Sequence, residues 1–381
     1  MNDQHAMARL CWAQPAKYAA VLLTVCIGAA TAAAQQTVAS LPNDPLPAMS
    51  APALIFPLSG WFSTGTAQSG QSANSKPIRK NRKLASMKRR PIDPSNVGYI
   101  DDPTVENEIR VRFDAGFNDP QPDLAEFFYQ GHSSPLASTV AFQRTLNFQQ
   151  LYLNAEYTPG KSVSGFLQIP YRWIQPIDVP STTRTPDLLS GSGISDVQAG
   201  LKYGAIAQET RNLTFQLRAD FPSGNGSNGF GTGHYSLEPA ALFYQRLTER
   251  AAVEAEWGDS HPIGGTIYRA SATSPGQNFA GDVMMYGVGP SYRALVRDAY
   301  TVAPVLELVG WHVFGGLQTT ATNQVEPGSG ANIFNVKMGA RVSFSGGNSV
   351  YAGYGRSLTT NIWYRNLFRV EYRHSFGSPD R

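Results

Sequence analysis

Carboxylates and histidines are the residues of this sequence whose positions invite a chemical interpretation. Glu254 and Glu256 stand two positions apart, a separation of about 7 Å along a β-strand that would suit a pair of acid–base groups. The six histidines lack the spacing of zinc ligands, and neither a nucleophile elbow nor a phosphate-binding loop occurs. The glycine-rich stretch 224–233 contains no Lys and joins two predicted strands, as a flexible surface loop would. We therefore predict that the chain is not an enzyme, that it holds no metal or cofactor, and that the two glutamates belong to a charged wall.

Charged residues alternate with apolar ones along much of the chain, which is the pattern of strands with two different faces. In the hairpin of residues 194–203 and 212–221, apolar residues share one parity and polar residues take the other. An Arg or Lys in hydrocarbon costs about 2–4 kcal/mol at the middle of a bilayer, so in a membrane barrel the charged face must point inward. Because both signs occur, we expect cross-strand ion pairs that narrow the lumen. The predicted lumen-lining residues are Arg110, Arg112, Asp196, Lys202, Arg218, Asp220, Glu254, Glu256, Lys337, Arg341, Arg369 and Glu371.

Twelve stretches of this kind occur, most of them near the length that crosses a bilayer at a tilt. Long polar connections follow the odd-numbered stretches and short turns follow the even-numbered ones, except that the last loop, 358–363, is short. Outer-membrane barrels sort their loops in this way and have an even number of strands. The sequence therefore predicts an all-β fold, a transmembrane antiparallel β-barrel of about 12 strands within residues 101–381. The stretches are 107–117, 148–157, 163–173, 194–203, 212–221, 235–247, 251–257, 283–296, 300–314, 333–344, 349–357 and 364–376.

Aromatic residues near the ends of these stretches suit the girdles that barrels place at the two membrane surfaces. The candidates for the girdles are Tyr157, Trp173, Tyr203, Trp257, Trp311 and Trp363.

The first 100 residues are predicted to precede the barrel. Residues 1–34 combine basic residues, a short apolar run and an Ala-rich end, which is the layout of a signal peptide and indicates export to the bacterial outer membrane. Both cysteines, Cys11 and Cys26, lie in this segment, so we expect a mature chain without disulfides. Residues 35–100 are rich in Ser, Ala, Pro and Gln and are predicted to form a flexible, disordered extension.

A basic cluster lies at residues 76–90 of this extension, whereas residues 91–381 hold 21 Lys and Arg against 26 Asp and Glu, a net charge of −5. The cluster is either a solvated linker or a segment that docks on anionic lipid headgroups or in an acidic barrel mouth. Because the chain is predicted to be exported, we expect no nucleic-acid partner.

Four short motifs stand in and around the predicted strands: Gly-Ser-Gly-Ile-Ser-Asp at 191–196, Gly-Leu-Lys-Tyr at 200–203, Phe-Pro-Ser-Gly-Asn at 221–225 and Gly-Thr-Gly at 231–233. Together they resemble the outer-membrane family assigned to the MetA pathway of phenol degradation, over about residues 107–376. The resemblance implies an outer-membrane barrel that admits aromatic or other hydrophobic compounds, and it carries over no catalytic residues.

The leading hypothesis from the sequence is a passive outer-membrane channel that takes up small molecules, aromatic or hydrophobic compounds among them, with membrane lipid as its surroundings. One alternative is a lipid-modifying enzyme of the outer membrane, for which His374 is the one candidate residue. Another is a structural or adhesive barrel that transports nothing and has a sealed lumen.

Overall fold

The computed structural model describes residues 95–131, 145–177, 189–320 and 324–376, together with the backbone of 140–141 and 185–186. The predicted signal peptide, the basic cluster and the rest of the extension up to residue 94 lie outside the described residues. No helix in the described part of the chain has the length and apolarity needed to cross a membrane.

Twelve antiparallel strands form the body of the protein, and each corresponds to one of the predicted stretches. The largest differences in bounds occur at the end of the seventh strand, which continues to Ile263 rather than ending at Trp257, of the fourth, which ends at Ala207 rather than Tyr203, and of the eighth, which ends at Tyr292 rather than Val296. The strands are β1 (Glu108–Asp119), β2 (Leu146–Tyr157), β3 (Val163–Pro176), β4 (Val197–Ala207), β5 (Arg211–Phe221), β6 (Tyr235–Arg246), β7 (Ala251–Ile263), β8 (Val283–Tyr292), β9 (Tyr300–Val313), β10 (Asn332–Phe344), β11 (Asn348–Ser357) and β12 (Asn366–Ser375).

The sheet closes on itself because the first strand pairs with the last as well as with the second. Arg112 of β1 lies opposite Tyr152 of β2 on one side and opposite Glu371 of β12 on the other. Every other barrel strand pairs with its two neighbours in sequence, and β8 with β9 completes the ring. No barrel strand is left as an edge, so the fold is a closed twelve-stranded antiparallel β-barrel.

Short strands and two 3-10 helices lie in the connections between the described barrel strands. Gly191–Ile194 adds to β3, and Leu295–Val296 adds to β9. The remaining small elements are the strand pairs Ile267–Tyr268 with Gln277–Asn278, Leu317–Thr319 with Val325–Pro327 and Val140–Ala141 with Thr185–Pro186, and the 3-10 helices Leu124–Glu126 and Gly226–Asn228.

The alternation of residue types along the strands separates an apolar outer face from a polar inner one. In β4, the outward side chains of Leu201 and Tyr203 are 60% and 54% exposed, while Lys202 between them is 5% exposed. Phe215 and Leu217 of β5 are likewise exposed on either side of the buried Gln216. A soluble protein covers such a surface with a second layer, and this barrel has none over it among the described residues. The outer face is therefore an apolar belt suited to hydrocarbon.

The predicted girdle is wrong for two of its six members. Trp363 is 3% exposed and contacts Trp311 inside the barrel mouth, with 5.5 Å between ring centroids. Tyr157, Trp173, Tyr203 and Trp257 are exposed.

The short and the long connections lie at opposite ends of the barrel. The turns after β2, β4, β6, β8 and β10 lie at the end where β1 begins, and the longer loops after β1, β3, β5, β7, β9 and β11 lie at the opposite end. We refer to these as the turn end and the loop end.

Candidate functional site

Residues 95–107, which we call the inner segment, run through the interior of the barrel before β1 begins. Backbone groups and side chains of this segment contact β4, β5, β7, β8, β9, β10 and β12, strands that lie all around the ring. A segment that meets so many strands must lie in the lumen. The sequence predicts residues 95–100 to be part of the flexible extension, whereas the structure buries Val97 and Ile100 almost completely.

Charged side chains of the wall satisfy the backbone of the inner segment. The carboxylate of Glu307 accepts hydrogen bonds from the amides of Gly98, Tyr99 and Ile100, at 3.0, 2.8 and 2.9 Å. Arg341 donates to the Val97 carbonyl at 2.7 Å, and Lys202 donates to that of Asp102 at 3.0 Å. A backbone without secondary structure can be buried only if its polar groups find such partners.

The paired glutamates of β7 serve the same purpose. Glu254 Oε1 accepts a hydrogen bond from the amide of Asn96 at 3.0 Å, and Glu256 Oε2 accepts one from the amide of Asp101 at 2.9 Å. Their spacing along the strand thus matches two amides of the inner segment.

Side chains of the inner segment also bind the wall. Asp101 forms an ion pair with Arg218 at 3.0 Å, and Asp102 forms one with Arg373 at 2.7 Å. Val97 and Ile100 pack on an apolar patch made by Val305, Val309 and Tyr351. Polar, ionic and apolar contacts therefore all hold the segment in place.

The loop after β1 folds over the opposite end of the lumen, and we call its residues 118–131 the cap. Phe127 stacks on Trp363 with ring centroids 4.2 Å apart, and Phe128 lies 4.6 Å from Phe148. Glu126 is fully buried, lies 3.2 Å from Nδ1 of His234 and accepts a hydrogen bond from the amide of Gly131. Ala125 and Glu126 adopt φ values of 54° and 52°, a left-handed conformation that is strained for residues other than glycine.

A chamber of about 290 Å³ remains between the inner segment and the cap. Tyr99 and Asp101 of the inner segment and Phe127 and Phe128 of the cap line it, together with inward-facing residues of the strands. Cavities of roughly 300 Å³ and more hold small molecules. The chamber is therefore the candidate functional site.

The twelve residues predicted to line the lumen fall into two groups in the structure. Those that line the chamber are Arg112, Asp196, Arg218, Asp220, Glu256, Lys337 and Arg369. The others lie beside the inner segment or in ion pairs with one another, and they are Arg110, Lys202, Glu254, Arg341 and Glu371. In the second group, Arg341 binds Glu371 at 2.7 Å, and neither side chain is exposed.

Asp196, which belongs to the motif 191–196, binds residues of two other motifs, 221–225 and 231–233. Its carboxylate accepts hydrogen bonds from the amides of Gly224 and Thr232, at 3.0 and 2.6 Å, and from the Thr232 hydroxyl. A Cβ at Gly231 would lie 2.3 Å from Asp196 Oδ1, so the close approach requires glycine there. These motif residues fix the loop 222–234 over the chamber.

Several residues of the site were not predicted from the sequence. Glu307, Tyr99, Glu238, Trp311 and Trp363 all hold the inner segment or line the chamber. One signal for them exists in β9, where the inward-facing residues Ala303, Val305 and Val309 are as apolar as the outward-facing ones. An apolar inner face in a charged barrel indicates that another part of the chain covers it.

A histidine and a group of three carboxylates lie outside the chamber. Nδ1 of His374 lies 3.0 Å from Oδ1 of Asn348, near the turn end. Three carboxylates, Asp102, Glu106 and Glu108, have oxygens within 4.8 Å of one another. Arg373 faces two of them, so this group is partly neutralised by a protein cation.

Neither a protein-family model nor a curated protein sequence matches the chain. Among solved structures, the COG4313 outer membrane channel from Pseudomonas putida F1 is 15% identical over 75% of this chain and 100% of that one, with a TM-score of 0.45. The beta domain of the Bordetella autotransporter BrkA is 13% identical over 71% and 100% of the two chains, with a TM-score of 0.41. LpxR from Salmonella typhimurium is 10% identical over 71% and 100%, with a TM-score of 0.39. The closed ring of strand pairs is itself the evidence for the barrel fold.

Proposed function

We propose that this chain is an outer-membrane channel that admits small molecules, aromatic compounds among them, without energy input. The observation that carries the proposal is the chamber of about 290 Å³, which lies inside a closed barrel between the inner segment and the cap. The apolar outer belt supports a position in a membrane. Tyr99, Tyr152 and Trp311 give the chamber aromatic surface for an aromatic solute.

The route of a solute has two barriers. The cap covers the loop end, where Phe127 stacks on Trp363 and backbone hydrogen bonds join Gln130 to Gly231 and Gly281 to Ala125. The inner segment fills the lumen toward the turn end and must shift before a solute can leave the chamber on that side. Since no strand pairing includes this segment, it can move without breaking the barrel.

Planar-bilayer recording of the refolded chain tests the proposal. A variant Glu307→Ala, which removes the acceptor of three amides of the inner segment, is compared with the unmodified chain and with a Glu209→Ala control in the turn after β4. We expect discrete conductance steps that are more frequent in Glu307→Ala than in the other two proteins. If correctly folded Glu307→Ala and a chain lacking residues 95–100 are both silent, the channel proposal is wrong.

A structural barrel without transport is the second candidate, and the filled lumen favours it. The inner segment makes three amide hydrogen bonds to Glu307 and two ion pairs through Asp101 and Asp102. In that case the inner segment is a permanent part of the core, and loosening it lowers stability without producing conductance. The recording described above separates the two candidates.

A further inference from the structure

Most of the charges that line the chamber are sorted onto opposite sides of the barrel, while Arg172 of β3, Asp196 before β4 and Glu126 of the cap belong to neither side. Arg112, Lys337 and Arg369 come from β1, β10 and β12, which belong to one continuous arc, β10-β11-β12-β1. The carboxylates Asp220, Glu238 and Glu256 come from the arc β5-β6-β7. Strands β2 to β4 separate the two arcs on one side, and β8 and β9 separate them on the other. We call the two sides the basic wall and the acidic wall.

The basic wall carries more positive charge than its one carboxylate can neutralise. Asp114 binds Arg369 through two hydrogen bonds of 2.7 Å, and Nε of Arg112 lies 3.6 Å from the same carboxylate and donates no hydrogen bond. Lys337 takes part in no ion pair among the described residues; its Nζ donates to the Tyr364 hydroxyl at 2.8 Å. Three basic side chains and one carboxylate give this wall a formal charge of +2.

Aromatic rings accompany the basic wall. Nζ of Lys337 lies 3.9 Å from the centre of the Tyr99 ring, and the Arg112 guanidinium lies 3.7 Å from that of Tyr152. By contrast, strands β5 to β7 contribute no aromatic side chain to the lining of the chamber among the described residues. The basic wall therefore also offers the surface on which a flat apolar group would stack.

The acidic wall has the opposite imbalance. Asp101 and Glu238 share a single cation, Arg218. Asp220 receives a hydrogen bond from Gln198 on Oδ1, while its Oδ2 is buried and has no hydrogen-bond partner among the described residues. Glu256 accepts one hydrogen bond, from the Asp101 amide. With Asp101 of the inner segment included, four carboxylates and one guanidinium give this side of the chamber a formal charge of −3, and Asp220 has an unused acceptor.

Opposed formal charges across a cavity enclosed by protein produce a strong transverse field, because protein screens the interaction of charges less than bulk water does. A ligand with one charge is attracted by one wall and repelled by the other. A ligand with an anionic and a cationic end gains from both walls when it lies across the chamber, and it also provides the donor that Asp220 lacks.

We propose that the chamber selects small zwitterions, whose carboxylate and apolar body lie at the basic wall and whose ammonium group lies between Asp220 and Glu256. This inference rests on the proposed channel function for its biological meaning, since it names the class of solute that the same chamber would take.

Three small molecules with one ring and different charges test the inference. 4-(Aminomethyl)benzoate is a zwitterion, 4-methylbenzoate keeps only the anion, and 4-methylbenzylammonium keeps only the cation. Binding to the refolded full mature chain in detergent is measured by calorimetry and by the fluorescence of Trp311 and Trp363, which line the chamber. We expect the zwitterion to bind at least about tenfold more tightly than either singly charged molecule.

Matched variants assign the preference to the two walls. We expect Asp220→Asn to weaken binding of the zwitterion and to strengthen binding of the benzoate, which the acidic wall repels, and Lys337→Met to weaken both. Asp298→Asn, in the turn after β8, should behave as the unmodified chain, and heat-modifiable gel migration checks that each variant is folded. Equal affinity for the zwitterion and the benzoate, or an unchanged preference in Asp220→Asn, overturns the inference.

Conductance recorded on the same preparations separates this inference from the channel function. If the protein conducts but shows no preference for the zwitterion, the inference about zwitterions is wrong and the channel proposal stands. If the protein binds the zwitterion selectively but never conducts, the inference about zwitterions stands and the channel proposal is wrong.

Discussion

Glu307 holds Ile100 in the middle of the barrel through a hydrogen bond of 2.9 Å from the Ile100 amide to Oε2. The preceding amides of Gly98 and Tyr99 donate to the same carboxylate, which is 0% exposed. Successive amides that converge on an anion form a concave binding site and offset the cost of burying its charge. The pair therefore fixes both the position of the inner segment and the depth to which it enters the lumen.

Replacing Glu307 with Ala is expected to loosen the inner segment. Each hydrogen bond to a charged group contributes about 1.5–3 kcal/mol, so the loss of three should raise the population of displaced segments by at least about tenfold. Glu307→Gln keeps one acceptor oxygen and should have a smaller effect. Channel-opening frequency or the rate of solute entry into liposomes measures the change; equal rates for all three proteins would show that the segment does not depend on Glu307.

Glu106, next to the start of β1 at the turn end, predicts a dependence of stability on pH. Burial and the carboxylates of Asp102 and Glu108 raise the pKa of Glu106 to about 8, and Ser375 donates a hydrogen bond to it at 2.9 Å. A group whose pKa is higher in the folded protein stabilises it fully below the unfolded pKa, near 4.5, and this contribution is lost as pH rises through 8.

We therefore expect the urea midpoint of the refolded chain to fall between pH 5 and about 9, and the fall to be smaller in Glu106→Gln, which cannot ionise. The difference between the two proteins isolates Glu106 from other titrating groups. Parallel pH profiles would show that the carboxyl does not change its charge in this range.

The cap gives a prediction about access from the loop end. Phe127→Ala removes the ring that stacks on Trp363 at 4.2 Å, an aromatic contact worth about 0.5–1.5 kcal/mol beyond the area that it buries. We expect acrylamide to quench tryptophan fluorescence more strongly in this variant, since Trp363 and Trp311 then face a more open chamber. Phe344→Ala, on the outer face near the turn end, is the control and should quench as the unmodified chain does.

The strands could be predicted from the sequence because a barrel strand needs only local information. Alternation in stretches such as 212–221 sets which side chains face outward, and the lengths of the connections set the up-and-down order. The bounds shifted where local patterns change. β7 continues through Asp259 and His261, beyond the membrane belt, where polar residues on both faces conceal the alternation.

The inner segment and the cap could not be predicted in the same way. Their positions depend on contacts between residues far apart in sequence, such as Ile100 with Glu307, and both lack regular secondary structure over most of their length. Charged wall residues also differ in what they contact. The side chains of Glu254 and Asp220 both point inward, as the alternation along their strands predicts. Glu254 binds the backbone amide of Asn96, whereas Asp220 faces the chamber. Parity predicts the direction of a side chain but not the part of the chain that it meets.

Arg218 and Asp220 stand two positions apart on β5, and the structure predicts that their substitutions have different consequences. Arg218 binds Asp101 of the inner segment at 3.0 Å and also pairs with Glu238, so Arg218→Ala leaves both carboxylates without their shared cation and weakens one anchor of the segment. We expect this variant to open more often and to favour cations.

Asp220 contacts Gln198 rather than the inner segment, so Asp220→Ala should leave opening frequency near that of the unmodified chain while shifting selectivity toward anions. Single-channel recordings with a salt gradient measure frequency and reversal potential together. Opposite shifts in reversal potential with a rise in frequency for Arg218→Ala alone would place both residues on the conduction path; the same reversal potential in all three proteins would exclude them from it.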